Sequence, residues 1–362
     1  MSVVIVFPSM YAEGWKLAKA IRKSWMGIRK VNIEDNFIVC EINSNTVDLA
    51  YFLTKMFGVE KVAIAEKATD NFTGLSAAIV EAASRIIVPG ERFHIKVIIQ
   101  PTAKCDYLSR DLEFATSSAL ASRLASIKAL PAKTENEASR LVLTVIGKEC
   151  AYICIQIMAA PGGLISGSRG RVLGSIHGPL SLISCTMAAK AGFDCTSIVL
   201  PYLDDTDLES NAKLAQTFAT KIGRKKQTIL AVPIKLPAKG MEWEILREEI
   251  VCKILIGCHS GRIIFSLTTA VHPIWFIESL IREAIFAGKT PLVPMLFLSS
   301  ELGKYAEEAR IALTISASDT TISRLQKYKD AIDLEARSAI KRAKRLHLEV
   351  GPNYLHDIID SI

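Results

Sequence analysis

Apolar and polar positions follow one pattern up to about residue 165 of this chain and a different one beyond it. In the first stretch, short runs rich in β-branched and other apolar residues, bounded by polar or turn residues, predict strands over 3–7, 31–34, 37–42 and 59–65. Apolar residues three or four apart predict helices over 12–25 and 47–57. The resulting β-α-β-β-α-β order is the ferredoxin-like arrangement. After the polar break at 67–71 the pattern predicts helices around 74–87 and 110–127, a strand over 93–99, and long strands over 140–146 and 151–158 that meet at Gly147-Lys148. From Arg171 onward, strands over 172–176, 196–200, 228–234 and 262–267 alternate with helices over 180–191, 207–221, 243–256, 274–287 and 300–311. Such alternation predicts a doubly wound, mainly parallel sheet with a ligand at the carboxyl ends of its strands. The expected organisation is therefore three α/β modules, 1–68, 69–165 and 166–362.

Composition narrows the class. Half of the 362 residues are apolar and 22% are charged, which is globular rather than disordered. The longest strongly apolar run, 150–160, is interrupted by Gln156 and is too short to span a bilayer, and the opening residues lack the charged and apolar regions of a secretion signal. Of the eight cysteines, Cys40, Cys150, Cys154, Cys195 and Cys252 lie among aliphatic neighbours, and no Cys-x-x-Cys occurs. Cys252, Cys258 and His259 have the wrong spacing for a zinc knuckle, so they read as packing and no metal site is expected. Reduced cysteines point to the cytoplasm.

The net charge of +7 is unevenly distributed. Between Arg324 and His347 eight Lys or Arg residues face three acids, while apolar positions 325, 328, 332, 336, 340, 343 and 346 recur at helical spacing. The expected element is a C-terminal helix with one buried stripe and a basic outer face carrying Arg337, Lys341, Lys344 and Arg345. Such a face suits a phosphate backbone or an acidic partner, and it is equally the composition of a solvated helix with no partner.

Residues 159–181 carry the densest information. A Gly-rich run leads into the strand 172–176, then into His177, Gly178 and Pro179, then into an apolar helix ending at Gly192. A strand, a tight turn and a helix N-terminus present free backbone N–H groups to an anion.

Three stretches together resemble a known family: Lys104-Cys105-Asp106-Tyr107-Leu108-Ser109 with Arg110-Asp111-Leu112-Glu113; Ala160-Pro161-Gly162-Gly163-Leu164-Ile165-Ser166-Gly167; and the strand-turn-helix from Arg171. They are similar to the THUMP-module helix entry, the Gly-rich module exit and the pyrophosphatase turn of the tRNA 4-thiouridine synthetase family. The resemblance runs in order along nearly the whole chain and is densest over about 90–200. It implies a ferredoxin-like module, a THUMP module and a doubly wound pyrophosphatase-like domain, with tRNA or another structured RNA as partner, in a ribonucleoprotein assembly or alone. Neither a membrane nor DNA is expected. Because the family docks the tRNA acceptor end on the THUMP module, Arg92, Lys96, Lys104 and Arg110 are the implied phosphate contacts.

The resemblance breaks down at the chemistry. The family's loop, Ser-Gly-Gly-x-Asp-Ser, falls on Ile176, His177, Gly178, Pro179, Leu180 and Ser181, so only the second Gly and the last Ser remain. Leu180 cannot bind Mg²⁺ and Ile176 offers no hydroxyl. The family's Gly-x-Ser-Leu-Gly-Gln segment corresponds to Phe265-Ser266-Leu267-Thr268-Thr269-Ala270, and the last cysteine, Cys258, leaves no later thiol to carry sulfur. The expectation is an RNA-binding protein with a vestigial phosphate loop, no catalytic residues and no cofactor. The alternative is an active ATP-dependent tRNA sulfurtransferase with a divergent loop.

The remaining candidates have two readings each. Asp204, Asp205 and Asp207 sit where a metal-binding carboxylate would be needed, but such a cluster also caps a following helix. His177 could be a general base, or structural, because no acidic partner is visible in the sequence. Trp25, Trp243, Trp275 and Phe276 could stack on bases or fill the core.

Overall fold

Val3 to Val6 are all fully buried, so the first strand is covered on both faces and reads as an unbroken apolar run. This computed structural model describes residues 2–25, 27–43, 45–222, 226–235, 242–297 and 328–349. They belong to two compact units, Met1–Gly163 and Leu164–Ile362.

The first unit contains β1 (Ser2–Pro8), α1 (Gly14–Ser24), β2 (Ile28–Ile33), β3 (Ile38–Ile42), α2 (Thr46–Leu53), β4 (Val59–Ala68), α3 (Phe72–Ser84), β5 (Arg92–Ile99), α4 (Ser109–Arg123), β6 (Leu130–Pro131), β7 (Arg140–Ile146) and β8 (Ala151–Ala159). Its strands form a single eight-stranded sheet in the order β2-β3-β1-β4-β8-β7-β5-β6. The first four strands pair antiparallel in the ferredoxin-like order. Strand β8 joins antiparallel to β4 and to β7, and β7-β5-β6 are parallel. The sheet thus passes without a break through residue 68.

Side chains reinforce this continuity. At the β2–β3 turn, Asp35 accepts from both the N–H and the hydroxyl of Thr102, at 3.0 and 2.8 Å. Glu34 accepts from the N–H of Lys148 and Asn36 donates to Gln100. The turn of one half is tied in this way to the loops that follow β5 and β7 in the other. Helices α2 and α3 begin where Asn45 and Asn71 accept from the N–H groups of Val47 and Gly74, each satisfying a first-turn donor.

The second unit contains β9 (Arg171–Ser175), α5 (Pro179–Lys190), β10 (Asp194–Tyr202), α6 (Asp205–Lys221), β11 (Lys226–Pro233), α7 (Glu242–Gly257), β12 (Arg262–Ile264), α8 (Ile274–Phe286), β13 (Thr290–Leu292), α9 (Lys329–Arg342) and β14 (Lys344–Glu349). Its sheet order is β13-β12-β9-β10-β11-β14, with every neighbouring pair parallel except β11 and β14. The parallel, doubly wound expectation therefore holds. From β9 the chain builds outward to β10 and β11, then crosses back to β12 and β13. This puts the switch point between β9 and β12. Approaching it, the glycines at 162, 163, 167 and 170 all take positive φ, which explains why this stretch is Gly-rich.

The C-terminal basic element differs from the expected helix. Helix α9 stops at Arg342, Ala343 turns extended, and Lys344–Glu349 pairs antiparallel with β11. The sequence from Arg345 to Leu348 alternates charged and apolar residues with period two, and this local period prevails over continuation of the helical stripe. Lys344 and Arg345 are successive strand residues, so they leave opposite faces of the sheet rather than sharing a helix face with Arg337 and Lys341. The expected helix over 300–311 and the basic positions Arg324 and Lys327 lie outside the described residues.

Candidate functional site

At the end of β9 the backbone turns with Ile176 fully buried and its N–H bonded to the carbonyl of Val199. The next residues are satisfied from within. Ser181, at the third position of α5, accepts from the N–H groups of His177 (2.9 Å) and Gly178 (3.1 Å) and donates to the carbonyl of Gly178 at 2.6 Å. Pro179 has no N–H, which suits the first helical position. The N–H groups of Leu180 and Ser181, in the first turn of α5, have no acceptor within the helix. The Leu180 side chain joins a small apolar cluster with Ile183, Met187 and Met295.

The His177 ring points toward α7. Its Nε2 donates to Glu248 at 2.6 Å, with both side chains about nine-tenths buried. The acidic partner that the sequence does not reveal is thus supplied by an element 71 residues away. Burial alone would raise the Glu248 carboxyl. The charge of His177 and its hydrogen bond, followed by the charges of His272 and Arg247, outweigh burial and hold it below its ordinary range. The Nδ1 atom of His177 is buried with no hydrogen-bond partner among the described residues. His272, just beyond β12, stacks on Phe276, and burial pushes its imidazole below the usual value. Residues 265–268, matched above to a Gly-rich family segment, are likewise buried.

The acidic cluster after β10 has a structural role. Asp204 accepts from the N–H of Asp207 and so caps α6. Asp207 is held by Arg247, whose Nη2 donates to both of its oxygens at 2.9 Å. Among the described residues, no group of three or more His, Cys, Asp or Glu side chains is arranged to hold a metal ion. None of the eight cysteines is joined in a disulfide.

Arg247, Glu248 and His272 are missing from the sequence-based list. The available signal is that Arg247, Glu248 and Lys253 are interleaved with the apolar residues Ile245, Leu246, Ile250, Val251, Ile254 and Leu255 of α7; all three charged residues are buried. Charges in such a helix are retained when they are paired.

In the first unit β5 alternates strictly. Phe93, Ile95 and Val97 are buried in the core, while Arg92, His94 and Lys96 face the other way. Lys96 is paired with Glu135 at 2.6 Å. Lys104 and Arg110 are exposed in and after the loop that leads into α4, near exposed Leu108 and Phe114. Arg92 opens β5 and this loop follows its far end, so the strand separates them by roughly 20 Å. Arg92 and the loop carrying Lys104 thus lie at opposite ends of β5, with Lys96 between them. In the second unit, Arg337 and Lys341 are exposed one helical turn apart on α9, opposite buried Ile332, Ala336 and Ala339, while Lys344 and Arg345 lie on β14. Of the aromatics considered, Phe276 is buried, Trp25 packs on Phe52, and Trp275 is partly exposed. The side chain of Trp243 lies outside the described residues.

With this geometry in place, comparison with solved structures shows the fold. A 4-thiouridine synthetase, solved in complex with RNA and with bound ATP, has a TM-score of 0.68 at 14% identity, over 96% of this chain and 100% of that one. PH1313 from Pyrococcus horikoshii Ot3 has a TM-score of 0.62 at 19% identity, over 85% of this chain and 99% of its own. No family model matches the chain, and no curated protein does so. No helix among the described residues is long and apolar enough to cross a membrane.

Proposed function

We propose that this protein binds structured RNA, most directly the acceptor end of tRNA, and that its pyrophosphatase-like site is catalytically silent. The observation that carries this reading is the combination of a fold shared with an RNA-bound 4-thiouridine synthetase and a phosphate loop closed by its own residues. Arg92, Lys96, Lys104 and Arg110 supply phosphate contacts in the first unit. Arg337, Lys341, Lys344 and Arg345 supply a second basic surface for RNA or a ribonucleoprotein partner. Cysteines that form no disulfide fit a reducing compartment, and we place the protein in the cytoplasm.

ATP with a metal ion does not fit the loop. Two of its amides are occupied by Ser181, and Leu180 is apolar where a metal-binding carboxylate is required. The Nε2 of His177 is already engaged by Glu248 and offers no donor to a phosphate oxygen. Sulfur transfer lacks its thiolate as well, because burial raises the thiols of both Cys252 and Cys258 above their ordinary value. The amides of Leu180 and Ser181 would hold no more than a weakly bound anion.

The test is incubation of the purified protein with ATP, Mg²⁺, a persulfide donor and unmodified tRNA. The expected result is tRNA retention on a filter at low salt, with pyrophosphate and 4-thiouridine no higher than in a heat-inactivated control. Either product above that control, and abolished by Ser181→Ala, establishes the divergent sulfurtransferase instead. Absence of RNA retention at low salt overturns the binding reading.

A further inference from the structure

Helix α1 of the first unit carries a surface that none of the residues named above includes. Its inner face, Leu17, Ala18 and Ile21, is buried in the unit's core. On the opposite side Trp15, Lys19 and Arg22 recur four and three residues apart, flanked by Lys16 and Lys23, all exposed. Tyr11, in the turn before the helix, is 66% exposed and Trp15 is 57% exposed. A large aromatic ring left in water on an ordered helix is uncommon, and Trp15 is accompanied by a cation. Lys16 places its ammonium 5.3 Å from the centre of the Trp15 ring while also pairing with Glu13, the one acid of the helix start. Lys19, Arg22 and Lys23 have no acidic partner among the described residues, so their charge is available to a ligand.

We infer that Tyr11, Trp15 and the Lys19-Arg22-Lys23 face of α1 form a contact surface for a single-stranded segment of RNA, with the rings stacking on unpaired bases and the cations taking the phosphates. The chemistry is complementary on both counts. Stacking accepts any base, and a cationic row follows a backbone of regular negative charge. An anionic lipid surface would attract the same cations, but an interfacial helix must also insert its apolar face, and the apolar face of α1 is spent on the core. The inference rests on the RNA-binding reading and extends it from the THUMP half of the sheet to the ferredoxin-like half.

The experiment uses the full chain and two fluorescein-labelled RNAs: a hairpin with a single-stranded 3′ tail, and the same hairpin cut blunt. Trp15→Ala should weaken binding of the tailed hairpin roughly tenfold and leave the blunt one within about twofold. Lys19→Ala/Arg22→Ala/Lys23→Ala should lower the slope of log affinity against log salt by about 2 on the tailed hairpin. Both variants should keep the wild-type melting temperature, since they alter exposed side chains. Wild-type affinity and salt slope in both variants, with Lys104→Ala/Arg110→Ala weakened, would sink the α1 surface and leave the RNA reading standing. Binding of neither hairpin by the wild type sinks both. Loss of sedimentation with phosphatidylserine vesicles in the α1 variants, with RNA binding intact, would reassign the surface to lipid.

Discussion

A buried histidine–glutamate pair carries the clearest residue-scale consequence. Glu248→Ala leaves His177 Nε2 buried without its acceptor, and removing one partner of a buried pair costs about 3 kcal/mol. Urea unfolding should show a loss of that order in unfolding free energy, read as a lower midpoint at an unchanged m-value. A double-mutant cycle with His177→Ala should return a coupling of at least about 1 kcal/mol. The pH dependence follows from two depressed groups. His272 resists protonation in the folded state because of burial, so its contribution is full above its unfolded value of about 6.5 and declines as pH falls from there to the depressed folded value. Glu248 is held low despite burial, so its contribution is present above about pH 4.3 and is lost as pH falls through its folded value. Melting temperature should therefore begin to drop below about pH 6.5 and drop further below about pH 4.3. His272→Gln should flatten the first of these declines, and an unchanged profile in that variant would assign the loss to other groups.

At the scale of elements, β9 is the strand around which the second sheet is built, and Gly174 lies at its tightest contact. A Cβ there would stand 2.6 Å from Cys185 Sγ and 3.3 Å from Ile264 Cδ1. Gly174→Ala should therefore cost about 1–3 kcal/mol by overpacking, and adding Cys185→Ala should recover part of that loss in thermal denaturation. Failure of the second change to help would mean that the strand itself, rather than α5, must move. The same elements show what the sequence reveals. The strands β9, β10 and β11 are legible because strands covered on both faces appear as apolar runs bounded by polar turns. The two residues of β6 and three of β13 are too short to show a period. Strand β14 is concealed because its four alternating residues follow directly on a helical stripe. The turn at 176–181 is legible in outline, since Gly178-Pro179 announces a helix start. The pairing of His177 with Glu248, and the exposure of Trp15, depend on tertiary placement that no local spacing encodes.

For the molecule as a whole, affinity for RNA should fall linearly in log–log terms with salt, with a slope near 0.9 per phosphate neutralised on a duplex and 0.7 on a single strand. A fragment spanning Met1–Gly163 has its own sheet and its own apolar clusters, so it should fold alone by circular dichroism and retain most of the affinity. RNA retained by the complementary fragment, and not by this one, would place the main binding surface in the second unit. The antiparallel strand that closes the second sheet has a further consequence during synthesis. Strand β11 ends at Pro233, whereas its outer neighbour β14 begins only at Lys344. At about 5–20 residues per second, the ribosome needs roughly 5–20 s to make what lies between them. Throughout that interval the nascent chain displays the bare hydrogen-bonding edge of β11 beside its apolar residues, an open template for pairing with a neighbouring chain on the same polysome. Truncation anywhere before residue 344 makes that transient exposure permanent. Stop codons late in this gene should therefore yield aggregates bound by chaperones, rather than a soluble protein that has merely lost its tail.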